Sequence, residues 1–185
     1  IGVVQGNIRQ DNKWRHEYKT ATVDRYISLS ARLLAESPDL IVWPETALPF
    51  YYTRDMLLSL KVNQFIRSTQ IPFLVGSPAY ESFDSDIRFY NRAYMISPDA
   101  MITGSYDKSR LVPFGEYVPF GDHLKFLGKI IEQAGDFSAG APIFKPLEFK
   151  DQSTGVLICF EILFPGVASR FVTSGATYLT TLTND

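Results

Sequence analysis

The sequence predicts an α/β fold in a single domain spanning residues 1–185, and three observations predict it. Two short runs, Leu40-Ile41-Val42-Trp43 and Val156-Leu157-Ile158-Cys159, are continuously apolar, as strands covered on both faces are. Between such runs lie stretches with apolar residues at helical spacing. The two kinds of pattern alternate along the chain, which is the arrangement of an α/β domain.

The elements follow in order. Residues 1–4 read as a short strand, closed by the polar Gln5-Gly6-Asn7. Residues 14–35 carry Trp14, Tyr18, Val23, Ile27, Ser30 and Leu34 at helical spacing. Ser37-Pro38 stops that helix, because a residue preceding proline is pushed out of the α region. The apolar run at 40–43 is a buried strand, ended by Pro44-Glu45. A second helix is expected over 54–69, then strands at 72–75, 90–96 and 101–106. A Pro/Gly-rich loop covers 111–121, and a short helix is expected over 123–133. Residues 156–159 form another buried strand. Residues 165–174 suit a helix with Pro165 in its first turn, and 177–181 a last strand.

Composition narrows the function. Of 185 residues, 45% are hydrophobic and 21% charged, enough to bury a core. A formal net charge of −2 argues against a general nucleic-acid binder. One cysteine excludes an internal disulfide, and with only His16 and His123 no usual zinc site is expected. Neither common glycine-rich nucleotide fingerprint occurs, so no cofactor is expected. The longest uncharged run, residues 171–184, is too short and too threonine-rich for a membrane span. The chain opens on Ile1 and stops just after an apolar strand pattern, so it is expected to be part of a longer one.

Three residues could carry chemistry. Cys159 ends a buried strand, where sites of open α/β sheets lie. It is either a small buried hydrophobe or a nucleophile, and a nucleophile needs a base and a positive neighbour. Glu45 also ends a buried strand. It is either a solvated loop carboxylate or a partly desolvated general base. Lys108, in Tyr106-Asp107-Lys108-Ser109-Arg110, is either a surface charge or an ammonium aimed at a developing oxyanion. Glu116 sits in an unusually apolar loop, where a salt bridge holding that loop is the plain alternative. Glu161 either positions Lys108 or the substrate, or caps the turn after the strand. The two histidines fall on helix surfaces, so a Ser-His-Asp or Cys-His arrangement is not expected.

Trp43-Pro44-Glu45, Tyr106-Asp107-Lys108 and Cys159-Phe160-Glu161 occur in the order of the Glu–Lys–Cys triad of the nitrilase (carbon–nitrogen hydrolase) superfamily, which the chain resembles. Residues 106–120, Tyr-Asp-Lys-Ser-Arg-Leu-Val-Pro-Phe-Gly-Glu-Tyr-Val-Pro-Phe, are similar to the signature of the apolipoprotein N-acyltransferase family. Residues 4–14 and the closing Leu-Thr-Asn-Asp resemble the same family, so the likeness covers the whole chain.

The resemblance implies a nitrilase-like αββα sandwich whose C-terminal part lies beyond this chain, leaving a sheet edge and an apolar face uncovered. It implies that Cys159 takes an acyl chain from a phospholipid as a thioester. The acyl group then passes to the α-amino group of the diacylglyceryl-cysteine of an apolipoprotein. Carried over, Glu45 is the general base, Lys108 the oxyanion stabiliser, and Trp14, Glu116, Phe160 and Glu161 are supporting or substrate-binding positions. Phe160 stands where members often carry Tyr. The implied location is the bacterial inner membrane, with this domain on the periplasmic side behind a block of transmembrane helices. Two alternatives are a soluble amidase or nitrilase, in which water resolves the thioester, and a non-catalytic domain that keeps the fold. The amidases commonly show Lys-x-His-Leu and an Asp two residues after the Cys; Ser109-Arg110-Leu111 and Glu161 here favour the acyltransferase. A long acyl chain must reach Cys159 without crossing water, so residues 47–52, 111–121 and 124–131 are expected to offer apolar surface to a bilayer, with Phe114, Phe120 or Phe126 exposed near the thiol.

Overall fold

The structure, a computed structural model, describes residues 1–9, 16–83, 86–113, 115–117 and 137–184. In chain order the elements are β1 (Gly2–Val3), α1 (His16–Leu33), β2 (Ile41–Val42), α2 (Met56–Thr69), β3 (Phe73–Phe83), β4 (Asp86–Ile96), β5 (Ile102–Asp107), β6 (Leu147–Phe149), β7 (Gln152–Ile158), α3 (Pro165–Thr173) and β8 (Tyr178–Leu182). A 3₁₀ turn, Cys159–Leu163, joins β7 to α3. The expected helix over 123–133, and Trp14, Phe114, Phe120 and Phe126, lie outside the described residues.

Two sheets form. One has the order β1-β2-β3-β4-β5, the other β6-β7-β8. β1, β2 and β3 are parallel, and β3-β4-β5 continue as antiparallel neighbours, so β5 again runs with β2. The carboxyl ends of β2 and β5 therefore lie at one end of the five-stranded sheet.

Period-two alternation assigns the two faces of that sheet. Ile41, Trp43, Phe73, Val75, Tyr94 and Ile96 pack with residues of α1 and α2. Leu40, Val42, Leu74, Ala93, Met95 and Tyr106 pack with Val156 and Ile158 of β7 and Val167 and Phe171 of α3. Both faces are dry, which is why the central strands read as unbroken apolar runs. The layers run helix, sheet, sheet, helix, as the αββα expectation has it. Trp43 is fully buried, with its ring 5.2 Å from Tyr26 and edge-on to Phe73 at 5.6 Å. Its indole N–H donates to Ser30 Oγ at 2.8 Å, so the one polar atom of the side chain is satisfied inside the core.

Helix registers follow the same physics. α1 buries Val23, Tyr26 and Ser30, while Tyr18, expected on the apolar face, is half-exposed. α2 buries Ser59, Val62 and Ile66, and Asp55 caps it by accepting from the Leu58 N–H at 3.1 Å. One expectation is overturned. Residues 47–52 offer no apolar surface to a bilayer, because Ala47, Leu48, Phe50 and Tyr52 are buried in the core shared with α2. The cause is the crossover from β2 to α2, which folds this loop under the helix. Ser77 Oγ holds it there by donating to the Phe50 carbonyl at 2.8 Å.

Two close backbone approaches shape the carboxyl end of the sheet. A Cβ on Gly76 would lie 2.4 Å from the Pro44 carbonyl oxygen and 2.7 Å from Glu45 Cα. A Cβ on Gly140 would lie 2.4 Å from the Asp107 carbonyl oxygen. Both neighbours are backbone and cannot swing aside, so glycine is what lets the chain close against Glu45 and beside Lys108. Gly76→Ala should therefore cost about 1–3 kcal/mol of unfolding free energy, read as a drop in the urea midpoint. Gly166→Ala, where an added methyl meets nothing within 4 Å, is the control, expected within about 0.5 kcal/mol of the parent. Equal midpoints for the two variants would refute the close approach.

Candidate active site

Three side chains singled out in the sequence come from one end of the fold. Glu45 follows β2, Lys108 is the residue after β5, and Cys159 is the residue after β7. β4 and β5 are locked in register by an Arg92–Asp107 fork, with Nε to Oδ1 at 2.5 Å and Nη2 to Oδ2 at 2.8 Å. Asn91, one residue away on β4, accordingly faces the second sheet, and its carbonyl accepts from the Lys108 N–H at 2.9 Å.

Lys108 is 1% exposed, and its ammonium is paired. It donates to Glu116 Oε1 at 2.9 Å and lies 3.5 Å from Glu45 Oε1. The Asn91 amide donates to the same two oxygens, at 2.6 Å to Glu45 and 3.1 Å to Glu116. Two donors and two acceptors thus close a ring, in which each nitrogen serves both carboxylates. Glu116 Oε2 also accepts from the Val112 N–H at 2.9 Å, tying the loop to the ring. The salt bridge weighed as the plain alternative for Glu116 is present, and it ends on Lys108. Burial disfavours the ammonium, yet the Glu116 hydrogen bond and the charges of Glu45, Glu116 and Cys159 raise the Lys108 pKa above its ordinary value. The lysine is a fixed cation.

Cys159 opens the 3₁₀ turn with φ +50°, a left-handed conformation that L residues rarely adopt. Thr46, directly after Glu45, has φ +45°. Such backbone costs on the order of 1–3 kcal/mol and clusters at functional sites. Burial pushes the thiol pKa up, and the negative charge of Glu45 pushes it further. Lys108 and hydrogen bonds from Thr183 and the Phe160 backbone pull the other way without reversing the shift. Burial is the larger cause of the rise, and the Glu45 charge adds to it. The resting sulfur is a thiol in the field of both Glu45 and Lys108.

Glu161 is fully buried and touches none of this ring. Its Oε1 accepts from Tyr106 Oη at 2.7 Å, from the Ser109 N–H and Ser109 Oγ, each at 2.8 Å, and from the Arg110 N–H at 3.1 Å. Its Oε2 accepts from the Ile158 N–H at 2.9 Å. Of the two readings weighed for Glu161, positioning holds for the Lys108 segment, and the Ile158 bond caps the turn as well. No face of the side chain reaches solvent. Phe160 packs edge-on against Phe164, with ring centroids 5.2 Å apart.

Two residues escaped the sequence reading. Asn91 had a signal: it shares strand parity with the buried Ala93 and Met95, and a polar side chain on that face needs partners. Thr183 is the residue after Leu182, which pairs with Ile158 in the parallel β7–β8 register, so it stands across from Cys159. That position is set by strand pairing alone. Among the described residues no group of acidic, histidine or cysteine side chains could hold a metal ion.

The model of the carbon–nitrogen hydrolase family matches residues 1–185. An apolipoprotein N-acyltransferase of Geobacter metallireducens is 38% identical over 186 residues, covering all of this chain and 36% of that protein. One of Brucella suis is 34% identical over 193 residues, with the same shares. The chain thus spans about a third of the length of the curated relatives it matches. Among solved structures, a carbon–nitrogen hydrolase of Helicobacter pylori superposes with TM-score 0.66 at 18% identity, covering 98% of this chain and 58% of that one. A Cys-to-Ala variant of a Nesterenkonia amidase superposes with TM-score 0.71 at 15% identity, over 98% and 63%. At these identities the structures establish the fold.

Two outcomes test the geometry. In a pH series of thiol alkylation, the midpoint for Cys159 should lie above that of free cysteine. Glu45→Gln should lower it, by removing a repelling charge, and Lys108→Met should raise it. Shifts of the same sign in both variants would contradict the arrangement. Glu161→Ala strands several buried donors and should cost about 3 kcal/mol or more in urea unfolding.

Proposed function

This chain belongs to the carbon–nitrogen hydrolase family, and we propose that it is the catalytic domain of a membrane-anchored N-acyltransferase that uses a Glu45–Lys108–Cys159 triad. The observation that carries this reading is the carboxylate–ammonium ring at the strand ends that bear Glu45, Lys108 and Cys159, next to a largely apolar groove. The groove has a volume of about 570 Å³ and is lined in part by Ser109 and Phe160, the chain neighbours of Lys108 and Cys159. Leu111, Pro113, Tyr117, Phe137 and Phe164 complete its apolar wall. Phe160, where a hydroxyl is common in the family, adds an apolar ring to this wall. Burying an acyl chain gains about 0.8 kcal/mol per CH₂, so such a groove selects a long acyl donor over a small amide and favours acyl transfer over the amidase alternative.

The chemistry follows from the ring. Sγ of Cys159 attacks the ester carbonyl carbon of a phospholipid while Glu45 accepts the thiol proton. The developing oxyanion is stabilised by the Lys108 ammonium, already fixed by Glu116 and Asn91, so it needs no reorganisation during the step. The tetrahedral adduct collapses by breaking the bond to the glycerol oxygen, which takes the proton back from Glu45 and leaves as a lysophospholipid. The thioester is then attacked by the α-amino group of the acceptor, the diacylglyceryl-cysteine of an apolipoprotein. Glu45 takes the amine proton, and the departing sulfur recovers it as thiol. Glu116 and Asn91 act as positioning residues; Trp14 is assigned a supporting role on resemblance alone.

Relatives named apolipoprotein N-acyltransferase support the acceptor class, and their greater length supports a longer parent chain. No helix among the described residues is long and apolar enough to cross a membrane, so the anchor and the periplasmic placement are assigned to the rest of the parent protein.

Incubating the complete parent protein with phosphatidylethanolamine vesicles should give an acyl adduct on Cys159 by mass spectrometry. Glu45→Gln and Lys108→Met should each lower its rate by about 100-fold or more. An adduct that persists in Cys159→Ala would remove the nucleophile assignment.

A further inference from the structure

We propose that Arg110 and Arg170 form a subsite for the phosphodiester of the acyl donor, beside the groove lined by Ser109 and Phe160. This rests on the acyltransferase reading and adds to it the group by which the donor is recognised.

A second, smaller cavity of about 180 Å³ adjoins the apolar groove, and the two share Arg110 and Phe164. Phe144, Pro165, Gly166, Val167 and Arg170 line the rest of it. Both arginines are exposed, and neither has a carboxylate in ion-pair contact among the described residues. Each guanidinium instead lies over an aromatic ring, Arg110 over Phe164 at 5.7 Å and Arg170 over Phe144 at 5.2 Å. Stacking fixes the plane of a guanidinium and leaves its N–H edge free. Two such edges on one cavity make a fork for a phosphate oxygen pair, with the charge that a phosphodiester would neutralise.

Position supports the assignment. Arg110 is two residues from Lys108, and its N–H is held at 3.1 Å by Glu161, the carboxylate that also holds Ile158 beside Cys159. Its backbone is therefore fixed relative to both the ammonium and the thiol. In a phospholipid the reacting ester and the phosphate are joined by a short glycerol segment. The groove and the cavity meet at Arg110 and Phe164, so a donor that spans the two brings its glycerol segment to Arg110, two residues from Lys108.

The test uses the complete parent protein in detergent micelles and two donors with the same acyl chains, phosphatidylethanolamine and diacylglycerol, which lacks the phosphate. Acyl-enzyme formation on Cys159 gives kcat/KM for each. The ratio of the two constants should favour phosphatidylethanolamine, and in an Arg110→Gln/Arg170→Gln double variant it should fall by about tenfold or more. Arg110→Lys, which keeps charge and loses the fork, should fall between. Inorganic phosphate up to millimolar concentration should leave the ratio unchanged, since the subsite reads a phosphate joined to an acyl chain. A double variant that keeps the parent ratio while still acylating Cys159 overturns this inference alone. A parent protein that acylates Cys159 from neither donor overturns the acyltransferase reading and this inference with it.

Discussion

The carboxylate of Glu161 is the constraint on which the rest of the site depends. The two sheets meet through apolar side chains, which are indifferent to small slides of one layer over the other. Glu161 removes that freedom. From a position with no solvent access it takes hydrogen bonds from Ser109 and Arg110, just past β5, and from Ile158, at the end of β7. Directional bonds to a buried charge are shorter and stronger than neutral ones, and they set position to a fraction of an ångström. The lysine and cysteine, brought from different sheets, are placed by a residue that touches neither.

A second principle separates this site from thiol enzymes that store a thiolate. There a cation without competing anions lowers the cysteine pKa. Here the cation is already committed to Glu116 and Glu45, and the thiol pKa is raised. On the acyltransferase reading proposed above, proton removal then belongs to the reaction step. A sulfur that rests protonated is also less open to oxidation.

Much of this was legible in the sequence where physics leaves a periodic trace. Leu40–Trp43 and Val156–Cys159 read as two-faced strands because helices or the other sheet do cover both faces. The strand ends bearing Glu45, Lys108 and Cys159 were readable for the same reason. The outer half of the β3–β4 hairpin was not, since Glu81, Ser82, Asp86 and Arg88 interrupt Tyr80, Ile87 and Phe89 and leave no apolar run. β6, with three residues, is too short to show a period. The apolar loop after Glu45 misled because an apolar run reports burial or membrane contact equally well, and only the β2–α2 crossover decides for burial. Thr183 has no local signature, because its place depends on which strand pairs with β7.

Glu45, Lys108 and Asn91 are held by the five-stranded sheet, whereas Cys159 and Thr183 follow β7 and β8 of the three-stranded one. The thiol and the charges that face it therefore belong to different layers. A shift of one layer over the other changes the distance from sulfur to ammonium, so the alkylation behaviour of Cys159 reports on how tightly the two sheets are packed.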